Sequence, residues 1–423
     1  MTFNPDEIRS RFPALQSGAI FFDGPGGTQV PQEVVDASTD YLKTANANLG
    51  GAFATSRRTV EVLDEARSAM ADFVNADLPD EIVFGPNMTT LTFSLSRSLG
   101  RQIHSGDEII VTHLDHDANI SPWLTLEECG AVIRWVDINP EDCTLNMDDF
   151  ERQLGERTKI VAVGYASNAV GTINNLKRII DLSHDAGAIV FVDAVHYAPH
   201  GPIDVQALDC DLLTCSAYKF FGPHVGLLYG KYDLLDRLPA YKVRPAEDRP
   251  PQKFETGTQN HEGIAGVTAA VEYLASIGEK YGADFAPDFS SLSGRRLHLK
   301  AAMAAVQSYE RELFSRLMEG LKKIAGLTVY GITDPVRFNE RTPTIAFTME
   351  GHSPRDIAER LARENMYVWD GNYYAQAIME RLGLEEHGGA VRVGLCHYNT
   401  SHEVVRFLEV FKRRPKGGGI NAT

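Results

Sequence analysis

The sequence has no surplus of positive charge. Its 423 residues carry 41 lysines and arginines against 57 aspartates and glutamates, a formal charge of −16. So acidic a chain is a poor match for nucleic acid or an anionic membrane surface, which are bound through basic patches. No apolar stretch approaches the ~20 residues of a membrane-spanning helix. Thiols are few: Cys129, Cys143, Cys210, Cys215 and Cys396, with no CxxC pair. An odd count without paired spacing favours reduced thiols in a cytoplasmic setting. The opening MTFNPDEIRSRFPAL lacks the basic and apolar regions of a signal peptide, so a cytoplasmic protein is expected. Internal repeats and low-complexity segments are also missing.

What is present reads as an ordinary soluble chain, 43% hydrophobic and 23% charged. Its length suits two domains. Apolar runs at Asp80–Phe84, Asp107–Thr112, Ala131–Val136, Lys159–Val163, Ala188–Val192 and Leu212–Cys215 alternate with helical stretches. That alternation predicts an α/β fold with a mostly parallel sheet covered on both faces. We expect an N-terminal arm over 1–20, a large domain over 21–283, a smaller α+β domain over 284–412 and a flexible tail over 413–423. In the smaller domain Pro343–Thr348, Met366–Trp369 and Ala390–Leu395 read as strands, and NANLGGAFATSRRT (46–59) reads as a polar loop.

The chain is organised around Val192 to Gly230. The run ending at Val192 leads into Asp193, which places a carboxylate at a strand's C-terminal end, where open α/β sheets hold ligands. The next run delivers Ser216, Tyr218 and Lys219, with Gly222, Pro223 and Gly226 behind them. A lone lysine in such a place is usually an exposed loop residue. A lysine that forms a Schiff base needs a depressed pKa. Pyridoxal phosphate also needs a carboxylate at its ring nitrogen. Asp193 and Lys219 could fill those two roles.

Other candidates are weaker one by one. In GPNMTTLTF, Asn87, Met88, Thr89 and Thr90 lie at a helix N-terminus, which is either an anion site or an ordinary threonine cap. His113 and His116 form a His-x-x-His pair without a third ligand, so no metal is expected. Asn168 lies in a turn, a common place for asparagine. Arg392, in VRVGLCHYNT, could grip a carboxylate bidentately or sit in a surface ion pair. Arg57 and Arg58 could meet an acidic group, although solvated arginines are commoner.

The pieces VDAVH, DVQALDCDLLTCSAYKFFGP and GLLYG resemble the class V aminotransferases, fold type I pyridoxal phosphate enzymes that include the cysteine desulfurases. The resemblance extends over nearly the whole chain. It implies pyridoxal 5′-phosphate as cofactor, bonded to Lys219, with Asp193 at the ring nitrogen and His116 stacked on the ring. Asn168 and His196 would lie near the ring oxygen. Met88, Thr89, Ser216 and Tyr218 would bind the phosphate, Tyr218 replacing a usual histidine. Thr258, beside Gly257, would reach across a homodimer to the partner's phosphate, making a shared active site. Arg392 would hold the substrate carboxylate.

The pattern breaks where desulfurases carry their mobile thiol. The corresponding run is Gly371, Asn372, Tyr373, Tyr374, Ala375, with Tyr374 at the cysteine position and Trp369 where an arginine is usual. A phenol cannot carry a persulfide. Tyr374 and Asn372 are instead candidate substrate contacts, and Cys396 is expected to be core packing. The expectation is a pyridoxal phosphate enzyme acting on an amino acid or related amine, a desulfurase-like carbon–sulfur lyase without a persulfide cysteine. The alternatives are an aminotransferase, epimerase or cyclase, and a non-catalytic binding protein on the same fold.

Overall fold

The computed structural model describes residues 3–412; the expected tail, 413–423, lies outside them. Seven strands form the main sheet: β1 Ile82–Gly85, β2 Glu108–Thr112, β3 Val132–Val136, β4 Thr158–Gly164, β5 Ile189–Asp193, β6 Leu212–Ser216 and β7 Gly226–Gly230. Their spatial order is β1-β7-β6-β5-β4-β2-β3. The pairs β3/β2, β2/β4, β4/β5 and β5/β6 are parallel, while β7 runs antiparallel to both β6 and β1. The α/β fold and the mostly parallel sheet are therefore as expected.

The sheet is buried on both faces. Along β5, Val190 and Val192 enter one hydrophobic core and Phe191 the opposite one. In β4, Val161 and Val163 face the first core, and Ile160 and Ala162 the second. A strand's period of two sends alternate side chains to opposite faces, so apolar surface on both sides requires unbroken apolar runs. Helices Ala54–Val74 and His261–Tyr281 contribute to the first core, and Met88–Gly100 to the second.

A second, antiparallel sheet follows, in the order Leu327–Tyr330, Thr344–Met349, Ala390–Gly394, Trp369–Gly371. Helix Gly294–Leu321 leads into it, and Phe314, Leu317, Phe347, Val391 and Phe407 share its core. The expected strand Met366–Trp369 is two pieces. Met366–Tyr367 pairs in parallel with Ile20–Phe21, whereas Trp369–Gly371 joins the second sheet. The N-terminal segment takes the first piece, with Phe21 edge-on to Tyr367. The expected loop 46–59 is shorter than read, because a helix begins at Ala54. Arg57 and Arg58 thus sit near its start, Arg57 donating to the Ala52 carbonyl and Arg58 pairing with Asp40 at 3.2 Å. No described helix is long and apolar enough to cross a membrane.

Strands β1, β2, β4, β5 and β6 point the same way. Their C-terminal ends, together with the start of β7, form one edge over which the loops converge.

Candidate active site

A cavity of ≈840 Å³ opens above that edge, lined by Phe93, His116, Asn168, Lys219, Trp369, Tyr374 and Arg392 among others. A narrow inner recess shares Thr89, His116, Asn168, Tyr218 and Lys219 with it and adds Met88, Asp115, Asp193, His196 and Ser216. Chain topology explains the convergence. Asp193 ends β5, Lys219 closes a single 3₁₀ turn after β6, and His116 and Asn168 follow β2 and β4. Helix Met88–Gly100 starts directly after β1, capped by Asn87, whose side chain accepts from the Thr90 N–H at 2.8 Å. The Met88 N–H donates to Ser216 Oγ at 3.1 Å, which ties the helix start to the end of β6. Gly226 permits this approach, since a Cβ there would lie 2.4 Å from the Asn87 carbonyl carbon.

Burial governs the electrostatics. The Lys219 amine donates to the Pro25 carbonyl. Burial, reinforced by the Arg392 charge and opposed by Asp193, lowers its pKa to about 7. Asp193 is raised to about 6 by burial, although it accepts from the Val195 N–H at 2.9 Å and feels Lys219. His116 is driven to about 3 by burial and the charges of Lys219 and Arg392, so its ring is neutral at ordinary pH. Its Nδ1 accepts from the Ala118 N–H at 2.9 Å. His196, fully enclosed, is also pushed well below its usual value, and its Nε2 meets Thr342 Oγ1 at 3.2 Å. Arg392 falls to about 10 because it is buried, with Tyr373 and Asp23 pulling the other way.

Several polar groups await partners. Asn168 Oδ1 and Arg392 Nε are buried without a hydrogen bond. Such orphans are rare in folded proteins and mark places where a ligand completes the bonding. The donor set fits pyridoxal phosphate. It offers a helix N-terminus with Thr89 lining the recess, an amine of lowered pKa, a buried carboxylate and a neutral flat ring.

The structure thus gathers Lys219, Asp193, His116, Met88, Thr89, Asn168, His196, Ser216, Tyr218, Tyr374, Asn372 and Arg392 around one cavity. Thr258 is different: it is exposed, follows Gly257 at φ 75°, and lines neither part of the cavity. Asn372 touches Glu385 at 2.9 Å and accepts from the Tyr374 N–H at 3.1 Å. Tyr218 stacks on His224, ring centroids 5.0 Å apart. His113 is not part of the site, its ring lying against Trp135 instead. Among the described residues no group of three or more histidines, cysteines or acids could hold a metal. Cys396 is buried in the core, its thiol pushed well above the usual range by burial. Sequence reasoning passed over three members. Asp115, raised to about 7 by burial, lines the recess and accepts from Asn119 at 3.1 Å. Asp23, raised to about 6 by burial, lies near Arg392. Tyr373 places its ring under the Arg392 guanidinium at 4.3 Å. The HLDHDAN and DGPGG stretches were the available signals, but neither shows which carboxylates become buried.

The sequence model of the family described as Aminotransferase class-V matches residues 20–283 and 294–407. An aminotransferase-like protein of Gibberella zeae is 34% identical over 420 residues, with 96% of this chain and 97% of that protein covered. A cysteine desulfurase of Cronobacter sakazakii is 32% identical over 429 residues, with 96% and 97% covered. A cysteine desulfurase of Synechococcus elongatus is 33% identical over 435 residues, covering 98% of this chain, and the chain spans only 64% of that relative's length. Among solved structures, the apo cysteine desulfurase of Thermococcus onnurineus superposes with a TM-score of 0.84 at 27% identity, covering 97% of this chain and 98% of that one.

Proposed function

We propose that this chain, which belongs to the class V aminotransferase family, is a pyridoxal 5′-phosphate enzyme that breaks a bond in an amino acid after loosening its Cα proton. When bound, pyridoxal phosphate supplies an electron sink for the bond that breaks at Cα. The observation that carries the reading is Lys219, an amine of pKa about 7 facing a buried carboxylate in a cavity that also holds Arg392.

Each residue's part follows from its environment. Lys219 reaches the neutral form near pH 7, so it serves both as the covalent anchor and, once released, as the base for the Cα proton. Asp193 would keep a proton on the ring nitrogen, and a bound cationic ring would favour its ionised form. Neutral His116 offers a flat face without adding charge. Thr89, Ser216 and Tyr218 would supply donors for a phosphate at the helix N-terminus, and the Met88 N–H, which donates to Ser216, would join them by turning from that partner. Asn168 and His196 would hold the ring oxygen. The Arg392 guanidinium takes the substrate carboxylate. Thr258, exposed on its loop, suits contact with a partner's phosphate in a homodimer. The same reading divides the chain into a large cofactor-binding domain, 21–283, and a smaller one, 284–412.

For the bond that breaks, we favour carbon–sulfur cleavage without a protein persulfide. Relatives of similar length carry the name cysteine desulfurase, and no cysteine lines the cavity among the described residues. Sulfur then leaves directly, L-cysteine and water giving pyruvate, ammonia and sulfide. The second reading, an aminotransferase, epimerase or cyclase, is favoured by the same missing thiol, since it needs only Cα proton chemistry. Product analysis with L-cysteine separates them. Sulfide and pyruvate that vanish in Lys219→Ala support cleavage. No sulfide, with a spectral response to other amino acids, moves the assignment to the second reading. A Lys219→Ala protein that kept full biological activity would point to a non-catalytic binding protein.

A further inference from the structure

The turn Asn372–Tyr374 is strained and yet firmly held. Tyr373 and Tyr374 both occupy the left-handed region, φ 59° and 56°. Two consecutive side-chain-bearing residues there cost conformational energy, and such strain persists only where the surroundings impose it. The imposition is visible. The Asp117 N–H donates to the Tyr374 carbonyl at 2.6 Å. Asn168 Nδ2 donates to the Tyr373 carbonyl at 2.9 Å, and the Tyr373 hydroxyl donates to the Ala390 carbonyl. The effect is to hold the Tyr374 side chain, 74% exposed, at the cavity mouth, its ring near-parallel to His116 at 5.7 Å and 23°.

Trp369, 49% exposed, lines the same cavity. Its indole packs on Gly26, where a Cβ would lie 2.1 Å from Nε1. Asn168 links this wall to Arg392, because the carbonyl of the same residue accepts from Arg392 at 2.9 Å. The carboxylate anchor and the aromatic wall are therefore held in fixed relation. Of the carboxylates at the mouth, Asp370 is paired with Arg355 at 3.2 Å, and Asp117 accepts from the Ser121 hydroxyl at 2.8 Å.

We infer that Tyr374 and Trp369 form a preformed side-chain subsite, and that the substrate class it takes is an α-amino acid with a flat aromatic side chain. This rests on the proposed function's cofactor site and on Arg392 as the carboxylate anchor, and within that function it favours the second reading, Cα proton chemistry, over cleavage of L-cysteine. A small side chain leaves the aromatic walls in water, and a charged one gains nothing from covering them. A flat apolar group covers both walls and gains stacking contacts.

The test is equilibrium titration of the cofactor-loaded protein with L-tryptophan, L-phenylalanine, L-alanine and L-cysteine, read as the change in the cofactor's visible absorption. The aromatic amino acids are expected to bind roughly ten-fold more tightly than alanine or cysteine, two walls contributing a few-fold each. Tyr374→Ala and Trp369→Ala are each expected to shrink that ratio, and Tyr374→Phe to keep it. Equal affinity across the panel for the wild-type protein overturns the inference whether or not any variant folds. A ratio unchanged in both folded alanine variants does the same. A protein with a normal cofactor band and no aromatic preference sinks this inference alone. A protein that takes up no cofactor sinks the proposed function and the inference with it.

Discussion

Charge changes around Lys219 test the electrostatics of the site directly. With its pKa at about 7 rather than 10.5, about half of the Lys219 amines are neutral at pH 7, against roughly one in three thousand for an ordinary lysine. Pulse acylation of the cofactor-free protein from pH 5 to 10, with the Lys219 peptide quantified by mass spectrometry, reads that fraction. Arg392→Gln removes a like charge and should move the inflection up. Asp193→Asn removes an opposite charge and should move it down. The same pKa has a stability consequence. Between about 7 and 10.5 the folded amine binds fewer protons than the unfolded one, so its cost is full below about 7 and fades as pH rises toward 10.5. The full cost is at most about 4–5 kcal/mol. Lys219→Met should therefore stabilise the cofactor-free protein against urea at pH 6.5, and by about a third as much near pH 9.5. A wild-type inflection near 10, or displacement of both charge variants in the same direction, would refute the reasoning.

Three other perturbations have defined outcomes. Gly226→Ala would drive a Cβ to within 2.4–2.7 Å of the Asn87 backbone, displacing the helix start at Met88; cofactor affinity, measured by absorbance titration, should fall about ten-fold or more. Glu255→Ala removes the buried partner of Arg67, met at 2.7 Å, leaving it only the exposed Asp64 at 3.5 Å, and strips the Phe84 N–H of its acceptor; urea unfolding should show a loss of about 3 kcal/mol. Cys396→Ala should cost about 1 kcal/mol of stability and leave sulfide release from L-cysteine intact; abolished release in a folded variant would make Cys396 a sulfur carrier and reverse the thiol-free reading.

The strands were legible because parallel strands buried on both faces must be written as unbroken apolar runs. The run read to Val192 ends one residue later, at Asp193, and the run read to Cys215 also ends one later, at Ser216. What the sequence hid depends on distant partners. The helix at Ala54 begins in a stretch of mixed polarity, and Ser56 anchors it by donating to the Asn48 carbonyl at 2.6 Å. The break between Met366–Tyr367 and Trp369–Gly371 exists because Ile20–Phe21, over three hundred residues earlier, pairs with the first piece. Asp115 lies between two histidines that drew attention as a metal pair. Its own importance comes from Thr112 at 2.5 Å, Asn119 and the bare Gly164, which together let a carboxylate be enclosed.

The site's cations explain why it should favour a doubly anionic set of guests. Among the described residues neither Lys219 nor Arg392 forms an ion pair; Lys219 donates to the Pro25 carbonyl, Arg392 to that of Asn168. A neutral carbonyl satisfies a hydrogen bond but not a charge, which is why both groups sit below their usual pKa values. Burying a cation this way is costly, and an anion that enters recovers part of the cost. A carboxylate on Arg392 removes its repulsion on Lys219 and so raises the Lys219 pKa. Substrate binding would then make Lys219 a better proton acceptor at the moment one is required. The expected signature is a Lys219 labelling inflection that rises when a non-reactive carboxylate such as acetate is added to the cofactor-free protein, and that does not rise in Arg392→Gln. An acetate effect that persists in Arg392→Gln would show that the anion acts elsewhere.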